Sequence, residues 1–261
     1  MTPQTLLSHY DSAQLWPTAT GLDTPTAYQR ALAVRALRLA RGEVPRGYKI
    51  GFTNRSIWPR YNVFAPIWGT VYSTTLQFCE EQGTMALAGI CQPRIEPETV
   101  FGLRAAPHAN ATLGDLFHCI DWLAPGFEIV QSHQKDWKFA APDTIADGGL
   151  HARLLVGKKL PVHSVANSTQ ALCSLLAATK VRLSQDAKVV DSGAGAAVLD
   201  DPLRALLHFV QELGQCPGAP SLQAGDVITT GTWTDAWPVK PGQTWAADFD
   251  APVPRLEVAF T

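Results

Sequence analysis

The sequence predicts an α+β fold with a mixed β-sheet core and a small helical N-terminal region. Three observations lead there. Helical character dominates the first forty or so residues, short β-rich segments broken by Gly, Pro and Asn follow from Gly47 onward, and only two further helical stretches interrupt them. Regular alternation of strand and helix, the signature of a doubly wound parallel sheet, is absent.

Each element has a local reason. Thr24 is placed to cap a helix with Pro25 at its first position, and Ala27, Ala31, Val34 and Leu39 form its apolar face. Arg30, Arg35, Arg38 and Arg41 fall on the other face, read as solvated surface, and Gly42 ends the helix. Strands are expected at 48–52, 69–72, 94–103, 126–132, 154–156, 181–183, 188–190, 226–230, 244–249 and 255–260, with turns at Gln185-Asp186, Ala224-Gly225 and Pro241-Gly242. A helix follows Asp200-Asp201, starting at Pro202 and burying Leu203, Leu206, Leu207, Val210 and Leu213. A second is expected over 169–178. Gly193-Ala194-Gly195 lacks the third glycine of a dinucleotide fingerprint and is read as a turn.

Composition limits the function classes. The 261 residues are 46% apolar and 17% charged, with a formal charge of −2. That charge gives no basic stripe for nucleic acid. No run of eighteen apolar residues suggests a membrane span, and the N-terminus lacks the cationic and apolar regions of a secretion signal. Cys79, Cys91, Cys119, Cys173 and Cys216 are odd in number and scattered, so buried free thiols in a reducing cytoplasm are expected rather than a disulfide or zinc framework.

The chemistry concentrates in Pro93-Arg94-Ile95-Glu96-Pro97-Glu98. On a strand, Glu96 and Glu98 project to one face, where neither carboxylate is cheap to bury. That pair alone is more simply an exposed acidic edge. Glu128 changes the balance, because it sits between Phe127 and Ile129 in an apolar run and needs a cationic partner or a metal. Three carboxylates without a Cys or His set select a hard ion, Mg²⁺ or Mn²⁺, and leave coordination positions open for water and substrate. Lys49 lies in an apolar run between Gly47 and Gly51. Beside a metal it would either lose its proton readily or stay charged and grip a substrate carboxylate, unless it is a snorkelling surface lysine.

These residues carry a resemblance. Gly47–Asn54, Gln92–Glu98, Ile120-Asp121-Trp122, Phe127–Val130, Asp136-Trp137, Asp143–Asp147, Ala224–Ile228 and Thr230-Gly231 occur in the order found in the fumarylacetoacetate hydrolase superfamily. Within it the chain resembles the 2-keto-4-pentenoate hydratase and 4-oxalocrotonate decarboxylase branch. The resemblance implies a fumarylacetoacetate-hydrolase-like β-roll or barrel, divided into an N-terminal helical and strand region (1–75) and a catalytic domain (76–261). It implies a metal at Glu96, Glu98 and Glu128, catalysis by Lys49 with Asp143 or a water, and substrate contacts from Phe52, Asp147, Thr230 and Gly231.

The implied reaction is hydration of a 2-hydroxy-2,4-dienoate, or its 2-oxo-4-enoate form, through an enolate held at the ion. Decarboxylation of a 2-oxo-3-enedioate, C–C hydrolysis of an acylpyruvate, and a non-catalytic partner of a pathway enzyme remain open alternatives. A cytoplasmic homo-oligomer in aromatic catabolism is expected, acting on a small 2-oxo acid and on neither nucleic acid nor membrane. Two segments depart from the pattern. Gly148-Gly149-Leu150 replaces polar groups after Asp147, which alters the half of the site that selects substrate. Trp233 and Trp237 are placed to wall either the pocket or an oligomer interface. His133 is read as structural or solvent-facing.

Overall fold

The computed structural model describes residues 1–261. Its first two helices start where side chains satisfy their free N–H groups. Thr2 caps α1 (Pro3–Ser12) by accepting from the Thr5 N–H, and Asp23 caps α2 (Thr24–Ala40) by accepting from the Thr26 N–H. The cap of α2 is therefore one residue earlier than expected, and Thr24 is already helical. The arginine face of α2 is also not simply solvated. Arg38 is buried, forks onto Glu43 at 2.6–3.1 Å, and lies between the rings of Tyr10 and Tyr72 at 4.5 and 3.8 Å. Arg41 ties the same Glu43 to Asp11 of α1.

The remaining elements follow in order: β1 (Pro45–Gly51), α3 (Trp58–Tyr61), β2 (Ile67–Tyr72), β3 (Leu76–Phe78), β4 (Gln82–Met85), β5 (Arg94–Leu103), α4 (Leu113–Cys119) and β6 (Ile120–Val130). Then come α5 (Ala141–Ala146), β7 (His151–Val156), β8 (Leu160–Pro161), α6 (Val162–Val165), α7 (Thr169–Ala178), β9 (Lys180–Gln185) and β10 (Lys188–Ala194). The chain ends with α8 (Pro202–Gln215), β11 (Val227–Thr229), β12 (Trp237–Pro238), β13 (Thr244–Phe249) and β14 (Leu256–Phe260).

The larger, nine-stranded sheet has the order β2-β1-β11-β5-β6-β7-β3, with β12 on β5 and β8 on β6. The smaller has the order β10-β9-β13-β14-β4. Parallel pairs (β1 with β11, β3 with β7, β4 with β14) mix with antiparallel ones. The division expected at residue 75 runs through the larger sheet, because β1 and β2 pair into it beside β11 and β5.

Three apolar layers fix the geometry. Helices α4, α7 and α8 cover one side of the larger sheet, packing Leu116, Leu172, Leu206 and Phe209 against Tyr48, Ile50, Phe101 and Ile228. Ile95, Phe127 and Ile129 pack against Leu183, Trp245 and Val258 of the smaller sheet. Val71, Val100, Ala124, Leu154, Val156 and Val227 form a separate apolar cluster on the remaining face. Each fully buried side chain of this size contributes roughly 1.5–3 kcal/mol. Because neighbours on a strand alternate, burying Tyr48 with Ile50, and Phe127 with Ile129, turns Lys49 and Glu128 to the other face.

Two smaller readings change. Strand β10 continues through Gly193 and Ala194, and only Gly195 begins a turn. A Cβ at Gly193 would lie 1.7 Å from the Trp233 carbonyl, so close approach of the loop before β12 explains that glycine. All five cysteines are free, but only Cys91 and Cys173 are fully buried.

Candidate metal centre

Strand register assembles the acidic trio. Glu96 lies directly opposite Glu128 in the β5–β6 ladder, and Glu98 lies opposite Gly126. One carboxylate oxygen from each of Glu96, Glu98 and Glu128 lies within 4.8 Å of the others. Glu98 and Glu128 are fully buried, whereas Glu96 keeps part of its surface open to a cavity.

The neighbours of each carboxylate leave specific oxygens unused. Glu98 Oε2 accepts from the Gly231 N–H at 2.7 Å and from the Thr229 hydroxyl, while Glu98 Oε1 has no hydrogen-bond partner. Glu128 Oε1 is 2.8 Å from His151 Nδ1, and Glu128 Oε2 is 3.0 Å from Lys49 Nζ. Lys49 reaches this point from β1, which is in register with β11 at Thr229.

Three buried carboxylates against one lysine leave an excess of negative charge. Burial pushes the Glu96 carboxyl up to about 7, with Lys49 opposing and Glu128 adding to the rise. Burial and then repulsion from Glu128 and Glu96 hold Glu98 well above the usual carboxylate range. At Glu128 burial is outweighed by Lys49 and His151, which hold its pKa below the ordinary value. Burial also opposes the charge on Lys49, but the carboxylates, Glu128 foremost, outweigh it and raise its pKa. Without an ion Lys49 is thus a charged partner of Glu128. The unpartnered Glu98 oxygen and the all-oxygen donor set fit a hard divalent cation, which would remove this excess.

Beside the trio lies a cavity of about 430 Å³. Lys49 and Glu96 line one part of it, and Phe52, Tyr61, Phe139 and Trp137 form an aromatic wall with successive ring centroids 4.9, 5.6 and 6.0 Å apart. Phe52 and Leu150, which both line the cavity, hold left-handed backbone at φ 56° and 67°. That conformation is uncommon for residues with a Cβ and is concentrated at functional sites. Arg60 and Arg94 also line the cavity, and the Arg94 guanidinium lies over Trp137 at 4.2 Å. Residues 232–236 complete the wall, so Trp233 faces the pocket while its ring packs against Phe249. Trp237 instead donates to Asp191.

Not every expected site residue joins this group. Asp143 accepts from the Thr20 N–H, the Thr20 hydroxyl and the Ala140 N–H, so its carboxylate starts α5 and ties down the N-terminal segment. Both of its oxygens are occupied and it does not line the cavity, which argues against the catalytic part expected of it. Asp147 binds the His133 N–H and Nδ1 at 3.0 and 2.7 Å, and His133 is fully buried rather than solvent-facing. Thr230 donates to the Thr99 carbonyl, whereas Thr229, on the other face, reaches Glu98. Gly231 meets the trio through its backbone. Sequence reading missed Thr229 and His151. Alternation along β11 could have flagged Thr229, but nothing local to His151 shows that β7 brings it beside Glu128.

Fold and site together define a class, a mixed-sheet protein with a carboxylate trio fit to hold a divalent cation at the wall of an aromatic cavity. Comparison places it further. The chain is 32% identical over 235 residues to a 4-oxalocrotonate decarboxylase of Pseudomonas sp., covering 88% of this chain and 86% of that protein. It is 33% identical over 219 residues to a 2-hydroxyhexa-2,4-dienoate hydratase of Comamonas testosteroni, covering 83% and 78%. In fold it matches the 4-oxalocrotonate decarboxylase from Pseudomonas putida G7, complexed with magnesium and adipate, at a TM-score of 0.89 and 23% identity, over 99% of this chain and 95% of that one. No family model matches the chain. The chain belongs to the family of 4-oxalocrotonate decarboxylases and 2-hydroxydienoate hydratases.

Proposed function

We propose that the protein is a Mg²⁺- or Mn²⁺-dependent hydro-lyase that adds water to a 2-hydroxy-2,4-dienoate by way of its 2-oxo form. The observation that carries this reading is the buried trio of Glu96, Glu98 and Glu128, with an unpartnered oxygen and Lys49 beside it at the cavity. A divalent cation held there supplies Lewis-acid stabilisation of the charge that develops on the substrate's 2-oxygen.

The protein's own groups do the rest. Lys49 Nζ lines the cavity; once a cation offsets the carboxylates that keep it protonated, it would be free to take the proton that leaves the 2-hydroxyl and return it to the carbon chain. The wall of Phe52, Tyr61, Phe139 and Trp137 stacks a planar diene and restricts the water that reaches it. Leu150 and Gly149 give the cavity the apolar, close-fitting side that their departure from the family pattern implies. The hydratase relatives support this assignment.

One observation favours a second reading. Arg94 faces the cavity and is stacked on Trp137 without a carboxylate partner, so it suits a second substrate carboxylate. Decarboxylation of a 2-oxo-3-enedioate at the same site is that alternative, in keeping with the decarboxylase relative. No helix is long and apolar enough to cross a membrane. A cytoplasmic homo-oligomer is part of the proposal, supported by the free thiols and by exposed Phe64 and Phe78.

An assay with Mg²⁺ against 2-hydroxypenta-2,4-dienoate, a 2-oxo-3-enedioate and an acylpyruvate tests the reading. Loss of dienoate absorbance without CO₂ release is expected. CO₂ release from the enedioate alone would select the decarboxylase, and no turnover of any substrate would overturn the substrate class.

A further inference from the structure

We propose that His151 is a positioning residue that fixes Glu128 as a one-oxygen ligand and so favours a six-coordinate Mg²⁺-sized ion over Ca²⁺. The inference rests on the metal reading above.

His151 opens β7, where the pairing with β6 slips by one residue between Ile129 and Val130. Such an irregularity re-aims side chains. The imidazole is 2% exposed and held at both nitrogens, with Nδ1 2.8 Å from Glu128 Oε1 and Nε2 2.9 Å from Thr75 Oγ1. An ionised carboxylate only accepts, so Nδ1 carries the proton. Nε2 then accepts from the Thr75 hydroxyl, whose oxygen in turn accepts from the Tyr72 N–H at 3.1 Å. The Thr75 hydroxyl also has the Tyr72 carbonyl as an acceptor at 3.2 Å, so it is the Glu128 carboxylate that fixes the tautomer, while the contacts at both nitrogens hold the ring plane.

The consequence lies in which oxygens remain. His151 occupies Glu128 Oε1, and Thr229 with Gly231 occupies Glu98 Oε2. Glu98 Oε1 is left without a hydrogen bond, and Glu128 Oε2 faces only Lys49 Nζ at 3.0 Å, a contact that an ion would compete for. Each of these side chains therefore presents one oxygen. With Glu96 they give three protein donors, which with three from water and substrate complete the octahedron that Mg²⁺ demands. Ca²⁺ takes six to eight oxygens and readily uses both oxygens of a carboxylate, which this arrangement discourages.

Calorimetric titration of the full chain with Mg²⁺ and with Ca²⁺ tests the proposal. His151→Leu is expected to weaken Mg²⁺ binding about 10–100-fold, the usual cost of losing a partner behind a ligand. Ca²⁺ binding is expected to weaken less, so the Mg²⁺ to Ca²⁺ preference falls. His151→Asn, whose amide can donate from the position of Nδ1, is expected to restore that preference. Thr75→Val, which frees the Nε2 edge of the ring, should show a smaller fall and serves if His151→Leu does not fold. An unchanged preference in His151→Leu or in Thr75→Val, whatever the melting temperature, overturns the role given to His151. Failure of the wild type to bind either ion overturns the metal centre itself, a different outcome from a bound ion indifferent to residue 151.

Discussion

Lys49 stands within reach of three carboxylates and can neutralise only one of them. The rest of the charge is managed by protonation until an ion arrives. Glu96, ordinarily ionised above about 4.5, is raised to about 7 by burial. In the ion-free protein the folded state keeps a proton that the unfolded chain releases. That contribution to stability is complete below the unfolded value and is lost as pH rises through about 7. An ion reverses the sign, because it needs the carboxylate deprotonated. The stabilisation conferred by Mg²⁺ is therefore expected to grow between pH 5.5 and 8, read as the difference in melting temperature with Mg²⁺ and with chelator. A difference independent of pH would contradict the assignment of Glu96 as a ligand. Lys49→Met is expected to retain Mg²⁺ affinity while turnover falls by roughly 10²–10⁴, the range for removing a general acid–base group. Turnover near wild type would remove Lys49 from proton transfer.

Helix α5 and the turn after it hold the substrate side of the site in place, and here the altered Gly148-Gly149-Leu150 stretch has a physical reason. A Cβ at Gly69 of β2 would lie 1.9 Å from the Gly148 carbonyl, and one at Gly149 would lie 2.9 Å from Lys49 Cδ. The turn is thus pressed onto β2 and onto the lysine stem, which leaves no room for a side chain at 149, while Gly148 has open space around its Cβ position but a left-handed φ of 65° that favours glycine. Gly69→Ala must move backbone, so a loss of about 1–3 kcal/mol is expected. For a chain of this size that is a fall of roughly 2–12 °C in melting temperature, with turnover reduced as Lys49 shifts. Gly114→Ala in α4, where the nearest atom would be a hydroxyl at 3.5 Å, is the control and is expected to be neutral or slightly stabilising. Equal effects of the two would remove the packing argument. Elements of this kind were only partly legible in the sequence. β5 and β13 fall where alternation and turns put them, because those signals are local. Helices α4 and α5 were missed because seven and six residues carry too little periodicity to stand out.

The acidic trio was legible because Glu96 and Glu98 share a strand face and Glu128 lies in an apolar run. What holds them was not, because the β6–β7 register and the closeness of β11 to β5 are long-range facts. The same limit explains Asp143 and Arg38. Each reads locally as an ordinary loop acid or surface cation, and each is bound by partners distant in sequence or packed from another element. At this scale an ion held by the trio would be a structural component as well as a chemical one, since it would join β5 to β6 across one face of the sheet. At a free concentration near 100 times its dissociation constant it adds about 2.7 kcal/mol to stability. That corresponds to a rise of roughly 5–11 °C in melting temperature, reversible with chelator and expected to vanish in Glu98→Gln. The central claim is that the trio holds a single divalent cation, and calorimetric titration of Mg²⁺ into wild type and Glu98→Gln tests it most directly. One ion per chain in the wild type and no measurable binding in Glu98→Gln is the expected result. Unchanged binding in the variant, or none in the wild type, would contradict it.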